Sequence, residues 1–241
     1  MELLAVLAVL LLQRHTELST EVHKLRIFQH YTDFMESQFS KQSWWSGYLG
    51  LLVFLIPALI IVLVAHWILS GWLFHILGFL FSVFILLYCV DFKSFRQMKD
   101  GDAVDNETVG QESQLFSILF WFIVLGPVGG VLYYLLIKAL QQPALQEKAL
   151  LIQGVLDWIP VRISGFLFAL VGHFGSAFSW WWKHCDSGIK DAQKFMVGTA
   201  RAALQLEDDK SISGGDLKTL FERALWAWVV LLAVLTLIIW H

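Results

Sequence analysis

The sequence has two cysteines in 241 residues, Cys89 at the end of an apolar run and Cys185 in a polar stretch. Thiols so placed exclude a disulfide framework and a cysteine-rich metal site, and they read as free. Charge is scarce as well. Asp, Glu, Lys and Arg make up 15% of the chain and the formal net charge is −3, so no basic field exists for a polyanion and nucleic acid is excluded as a partner. The histidines lack ligand spacing: neither the pair His66 and His75 nor the pair His173 and His184 has the i, i+4 pattern of a helix-face metal site. They are expected to be satisfied interface histidines, with no metal. Ser164, Ser176 and Ser179 have no nucleophile-elbow context. A phosphate loop is excluded too, because Gly126, Gly129 and Gly130 follow no strand and precede no Lys-Ser/Thr pair. The start, MELLAVLAVLLLQRH, lacks the basic region and cleavage site of a signal peptide, so it is expected to stay in the mature protein.

What is abundant is apolar. Hydrophobic residues make up 57% of the chain, with twelve Trp and nineteen Phe, which places it among integral membrane proteins. A crossing helix needs roughly 20 apolar residues, since a core of about 30 Å is traversed at about 1.5 Å per residue. Tyr48 to Ala65 and Trp67 to Val90 meet this back to back and read as a tight transmembrane hairpin over 48–90. Residues 115–140 form a third span with a kink expected at Gly126, Pro127, Gly129 and Gly130, where proline removes a donor and glycines permit close packing. Residues 224–240 form the last span, and Trp44 and Trp45 before the hairpin read as part of an aromatic belt. Residues 1–40 comprise a short apolar helix that packs inside the bundle or slants, followed by an amphipathic stretch with Leu18, Val22, Leu25 and Phe28 at helical spacing.

The polar segments are expected on one side. Arg14, Lys24, Arg26 and Lys41 precede the hairpin, Lys93, Arg96 and Lys99 follow it, and the rest of the cluster lies between Gly175 and Arg223. The positive-inside rule makes that side cytoplasmic. Residues 91–114, with DGDAVDNETVGQES, read as a mobile acidic loop without the positions of a calcium loop. In 175–223, Ile189, Ala192, Phe195, Met196, Ala200, Ala203 and Leu204 make an amphipathic stripe that docks on the bundle or the membrane surface. Ser213 and Asp216 resemble a capping box opening the final helix.

One stretch does not fit a plain span. Within 150–174, Asp157, Trp158, Pro160 and Arg162 place an acid, a helix breaker and a base in an otherwise apolar run. Charges are expensive in lipid, so both should face protein or water, and a helix broken near Pro160 would let them approach. Two readings stay open: an ion pair or lone arginine anion site in a cytoplasmic-side polar cavity, and a buried pair pinning a broken helix. The expected architecture is an all-α polytopic membrane bundle in one domain, 1–241, with about four to five membrane-embedded helices, a Pro-broken helix and cytoplasmic amphipathic helices. A transporter reading would want an internal inverted repeat, and none is visible.

VLDWIPVRISGFLFALVGH, Val155 to His173, resembles the signature of the AmpE family, inner-membrane proteins encoded beside a cytoplasmic anhydro-muramyl-peptide amidase in Gram-negative bacteria. SILFWFIVLGPVGGVLYYLL, Ser117 to Leu136, resembles the same family's LFW-containing span. The family is in turn similar to the CobD/CbiB membrane enzymes of cobalamin synthesis, whose WIPARL-like motif corresponds to Trp158 to Ile163. In those enzymes an acid and an amide precede the LFW span; Val109, Gly110 and Gln111 stand there, with Glu107 or Glu112 as substitutes after a local shift. The resemblance implies a modulator of cell-wall-recycling signalling and β-lactamase induction, on a reused scaffold without full synthase activity. Its candidate ligand or partner site comprises Asp157, Trp158, Pro160, Arg162, Glu107, Gln111 and Glu112. The implied partners are the lipid bilayer, a muropeptide or nucleotide-type ligand, and a protein at the cytoplasmic face. No cofactor is implied, and ATP with Mg enters only if the chain is instead an ATP-dependent amide-forming enzyme.

Overall fold

The structure is a computed structural model describing residues 2–15, 27–69, 75–90, 102–206 and 210–240. The amphipathic stretch at 16–26, the hairpin turn at 70–74, the loop at 91–101, the break at 207–209 and His241 lie outside the described residues. The described chain is helical: α1 Glu2–His15, α2 Ile27–Phe39, α3 Tyr48–Leu69, α4 His75–Cys89, α5 Asn106–Leu125, α6 Pro127–Leu140, α7 Gln146–Val171, α8 Phe174–His184, α9 Ala192–Ala203 and α10 Gly214–Trp240. A 3-10 turn, Ile189–Asp191, precedes α9, and two-residue strands β1, Ala103–Val104, and β2, Ile212–Ser213, pair antiparallel. Among the described residues three helices, α3, α5 and α7, are long and apolar enough to cross a membrane. The chain divides into two compact units.

The first unit comprises Met1–Asp91 and Ile118–Gln153. In it α1 packs on α4, α3 packs on α4 and α6, and α4 packs on α6. Helix α3 is apolar all round, but only the stripe through Leu51, Phe54, Leu55, Ala58 and Val62 is buried. The other side, through Leu49, Leu52, Ile56, Ile60, Leu63 and Trp67, is exposed, as expected of a helix that faces lipid. Pro57 lies inside this helix, and one turn away the Tyr31 hydroxyl of α2 donates to the Phe54 carbonyl at 2.7 Å. Burial pushes the Tyr31 phenol up to about 12.

Three sequence expectations change here. Trp45 is buried at the base of α3 instead of standing in an aromatic belt, because Gly50 lets the Trp45 backbone approach where a Cβ would collide with it. The kinked span at 115–140 is two helices. Gly126 has φ 67°, a left-handed conformation that glycine adopts without strain, and Pro127 then starts α6 with φ already helical. His66 buries Nδ1 without a hydrogen-bond partner among the described residues, its ring facing Phe81 at 6.5 Å; an apolar wall whose backbone is already used in helices has little to offer it.

The second unit comprises Phe92–Ser117 and Gly154–His241. The C-terminal half of α7 is its axis, with Val161, Ser164, Leu167, Phe168 and Ala169 buried. Phe116 of α5, Phe168 of α7 and Phe221 of α10 form a ring trio with centroids 5.1 to 5.6 Å apart. Helix α9 settles on glycines: a Cβ at Gly110, Gly165 or Gly172 would collide with Gln193, Phe195 or Ala203 respectively. The acidic loop expected to run to residue 114 is helical from Asn106. Asp105 begins that helix by accepting the Thr108 N–H at 2.8 Å, which is N-capping chemistry strong enough to nucleate a helix from a polar sequence. Ser213 sits in β2, and the first amide of α10, Gly214, donates to the Asp102 carbonyl at 2.9 Å.

Candidate functional site

Helix α7 runs unbroken from Gln146 to Val171 with Pro160 inside it, so the expected break is absent. Proline removes only the donor that the Leu156 carbonyl, four residues earlier, would take, and in an apolar span no water competes to pull the backbone out of the helix there. The Ser164 hydroxyl donates to the Pro160 carbonyl at 2.7 Å, and the Trp228 indole N–H of α10 donates to Ser164 Oγ at 3.1 Å. On a continuous helix, residues five apart project roughly 140° from each other. Asp157 and Arg162 therefore turn to different neighbours, and no ion pair joins them.

Asp157 is buried, 7% exposed, and accepts the Ser117 hydroxyl of α5 at 2.6 Å. Arg162 is equally buried, 6% exposed, and its donors go to main-chain carbonyls: Nε to Cys185 at 2.8 Å, one terminal nitrogen to Trp158 at 2.9 Å and the other to Ser187 at 2.6 Å. Its guanidinium carbon lies 4.2 Å from the Trp158 ring centroid and 5.5 Å from that of Phe195. The arginine thus holds the turn between α8 and the 3-10 helix against α7. Trp158 itself is partly exposed, and Pro160 is buried.

The other expected site residues fall elsewhere. Glu107 and Gln111 stand one turn apart near the start of α5, where Gln111 Nε2 donates to Glu107 Oε1 at 3.3 Å, both exposed; Glu112 follows half-buried. Glu107 borders a cavity of about 490 Å³ that is lined also by Asn106, Trp180, Gln193, Lys194, Val197, Gly198 and Arg201. Buried Arg201 braces it, donating to Asn106 Oδ1 at 3.1 Å and to the Lys210 carbonyl. Gly198 lets the Trp180 ring lie against α9. A second cavity, of about 430 Å³, has Gln205, Asp216, Thr219 and Arg223 in its wall. Neither is lined by Asp157 or Arg162. Thr108, through its side chain and then its backbone N–H, holds the Asp105 carboxyl below the usual carboxylate value. Among the described residues no group of three or more His, Cys, Asp or Glu side chains is placed to hold a metal ion.

Sequence reasoning missed Ser117, Arg201, Asn106 and Trp180. Arg201 had a signal: it is a cation inside the apolar stripe of α9, between Ala200 and Ala203. Ser117 opens the second family block as a lone hydroxyl before an apolar run.

Residues 113–238 match the protein family described as regulatory signalling modulator protein AmpE. No curated protein and no solved structure matches the chain.

Proposed function

Because the chain belongs to the AmpE family of regulatory signalling modulator proteins, we propose that it is a membrane modulator of cell-wall-recycling signalling and β-lactamase induction without full synthase activity. In this reading it is a multi-pass protein of the bacterial inner membrane, with the bulk of its polar residues on the cytoplasmic side, where the positive-inside rule puts the cations before Tyr48 and after Gly175. The observation that carries it is the engagement of Arg162. A synthase handling an anionic cosubstrate needs that cation turned to a cleft, whereas here it holds the Trp158, Cys185 and Ser187 carbonyls of its own unit. The cavity beside Glu107 and Trp180 supports a ligand or protein partner of mixed character, such as a muropeptide, with exposed Lys194 for acidic groups and Trp180 for apolar ones.

The test is induction in a bacterial strain deleted for the gene. Wild-type protein restores inducible β-lactamase, and Lys194→Glu, a change at an exposed cavity side chain, weakens induction while the protein still reaches the membrane. Induction indifferent to both the deletion and the variant would sink the reading. Calorimetry with Mg-ATP on detergent-purified protein tests the rival: tight binding lost in a folded Arg162→Leu variant would put an ATP-dependent amide-forming enzyme in its place.

A further inference from the structure

Helix α8 doubles back along the span that precedes it. Phe178 meets Phe166 of α7 with centroids 6.4 Å apart, the Trp181 indole N–H donates to the Arg162 carbonyl at 2.9 Å, and the Cys185 carbonyl accepts from the Arg162 side chain at 2.8 Å. These contacts step backwards down α7 as α8 advances, so the two helices are antiparallel neighbours. Helix α9 then returns in the direction of α7: Phe195 lies near Gly165, and the Ala203 carbonyl accepts the His173 amide at 2.8 Å. Together α8 and α9 form a hairpin laid alongside the C-terminal half of the span.

The two faces of α8 differ sharply. The inner face is spent on α9: Ala177 is buried, the Ser176 hydroxyl donates to the Ala202 carbonyl at 2.7 Å, and Trp180 packs over Gly198. The outer face carries Phe174, Phe178 and Trp182, spaced by four so that they stand one above another. Phe174 and Phe178 stack at 5.1 Å and Phe178 meets Trp182 at 6.2 Å, yet Phe174 is 50% and Trp182 71% exposed. The ridge lies along the α7 stripe whose Phe166 it meets, and Leu170 and Trp158 of that stripe are themselves exposed, as is Ile159 beside it. Lys183, next to Trp182, is also exposed, and its long stem lets the ammonium reach past an apolar layer to water or headgroups.

We propose that the outer face of α8 is a membrane-contact ridge, with Phe174, Phe178 and Trp182 turned to lipid alongside α7, so that the α8–α9 hairpin has one face in lipid and the other in water. The occupant is lipid because the ridge extends a surface that a membrane-crossing helix must already present to lipid. Its chemistry also fits, being large aromatic rings closed off by an indole and an ammonium, the combination that suits a membrane interface. On the watery side, Gln193 and Lys194 of α9 are exposed.

The test places the photoreactive residue benzoylphenylalanine at position 174, 178 or 182, and at 193 as the control, in full-length protein reconstituted into vesicles of phosphatidylethanolamine and phosphatidylglycerol. Position 182 is so exposed that its replacement disturbs little packing, and elution as a single folded species confirms each variant. After illumination, mass spectrometry is expected to find lipid adducts at the three ridge positions at several times the yield at 193. Equal yields at 182 and 193, or crosslinks between two copies of the chain in place of lipid adducts, would overturn the proposal.

Discussion

Trp158 and Arg162 sit one turn apart on α7 as a stacked pair, the guanidinium carbon 4.2 Å from the ring centroid and an Arg162 terminal nitrogen donating to the Trp158 carbonyl at 2.9 Å. The stack orients the fork so that its remaining edge meets the Cys185 and Ser187 carbonyls. Arg162→Leu leaves buried carbonyls without a donor, at about 1–3 kcal/mol each. The variant should therefore unfold several degrees lower in detergent and become sensitive to protease between Cys185 and Gly188. Arg162→Lys keeps the charge but loses the planar fork, and is expected to fall between wild type and leucine. Unchanged thermal unfolding and proteolysis in the leucine variant would remove the clamp.

Ser117 and Asp157 join α5 to α7 by a 2.6 Å hydrogen bond between buried groups. A double-mutant cycle of Ser117→Ala and Asp157→Asn, read by denaturant unfolding, is expected to return a coupling energy of about 1–3 kcal/mol. Additive effects would mean that the bond contributes nothing specific.

Gly129 and Gly130 are adjacent and should respond differently. A Cβ at Gly129 would run into the Trp121 backbone carbonyl, which has nowhere to go, while one at Gly130 stands 3.2 Å from the Phe122 ring, which shifts by a few tenths of an ångström. Gly129→Ala should cost roughly 2 kcal/mol or more by overpacking. Gly130→Ala should stay well below that, and the two melting temperatures compared side by side decide it.

Asp105 provides a pH test. Its carboxyl titrates below the usual value in the folded chain because Thr108 hydrogen bonds favour the ionised form. The stabilisation is therefore present above the unfolded value, near about 4, and fades as pH falls through the folded one. Asp105→Ala should speed amide exchange in the first turn of α5 at pH 7 and differ progressively less from wild type as the medium is acidified below pH 4. A difference that persists undiminished in strong acid would assign the effect to something other than the carboxylate.

How much of this was readable in the sequence depends on whether a residue's fate was local. The run from Tyr48 gave itself away as α3, because its partner is the surrounding lipid, which any apolar helix accepts. The Asp157–Arg162 stretch was identifiable as unusual, but the pairing read from it relied on proline breaking a helix as it would in water. Once α7 is continuous, helical geometry sends the two side chains to different partners. Those partners, Ser117 and the carbonyls of Cys185 and Ser187, are set by tertiary contact and left no periodic trace. The stripe of α9 was legible as amphipathic, while its resting place on Gly110, Gly165 and Gly172 was not, since glycine says only that something comes close. Trp45 misled for the reverse reason: tryptophan suits both an interface and a core, and Gly50 decides between them.

The pairing of Ala103 with Ser213 and of Val104 with Ile212 has a bearing on biosynthesis. During translation β1 leaves the ribosome long before its partner exists, since α5 through α9 lie between them in the chain. Only when Ile212 and Ser213 emerge can the clasp close and Gly214 reach the Asp102 carbonyl, which seats the first turn of α10 beside that of α5. A ribosome stalled before residue 212 would therefore hold a chain whose fastening is still open.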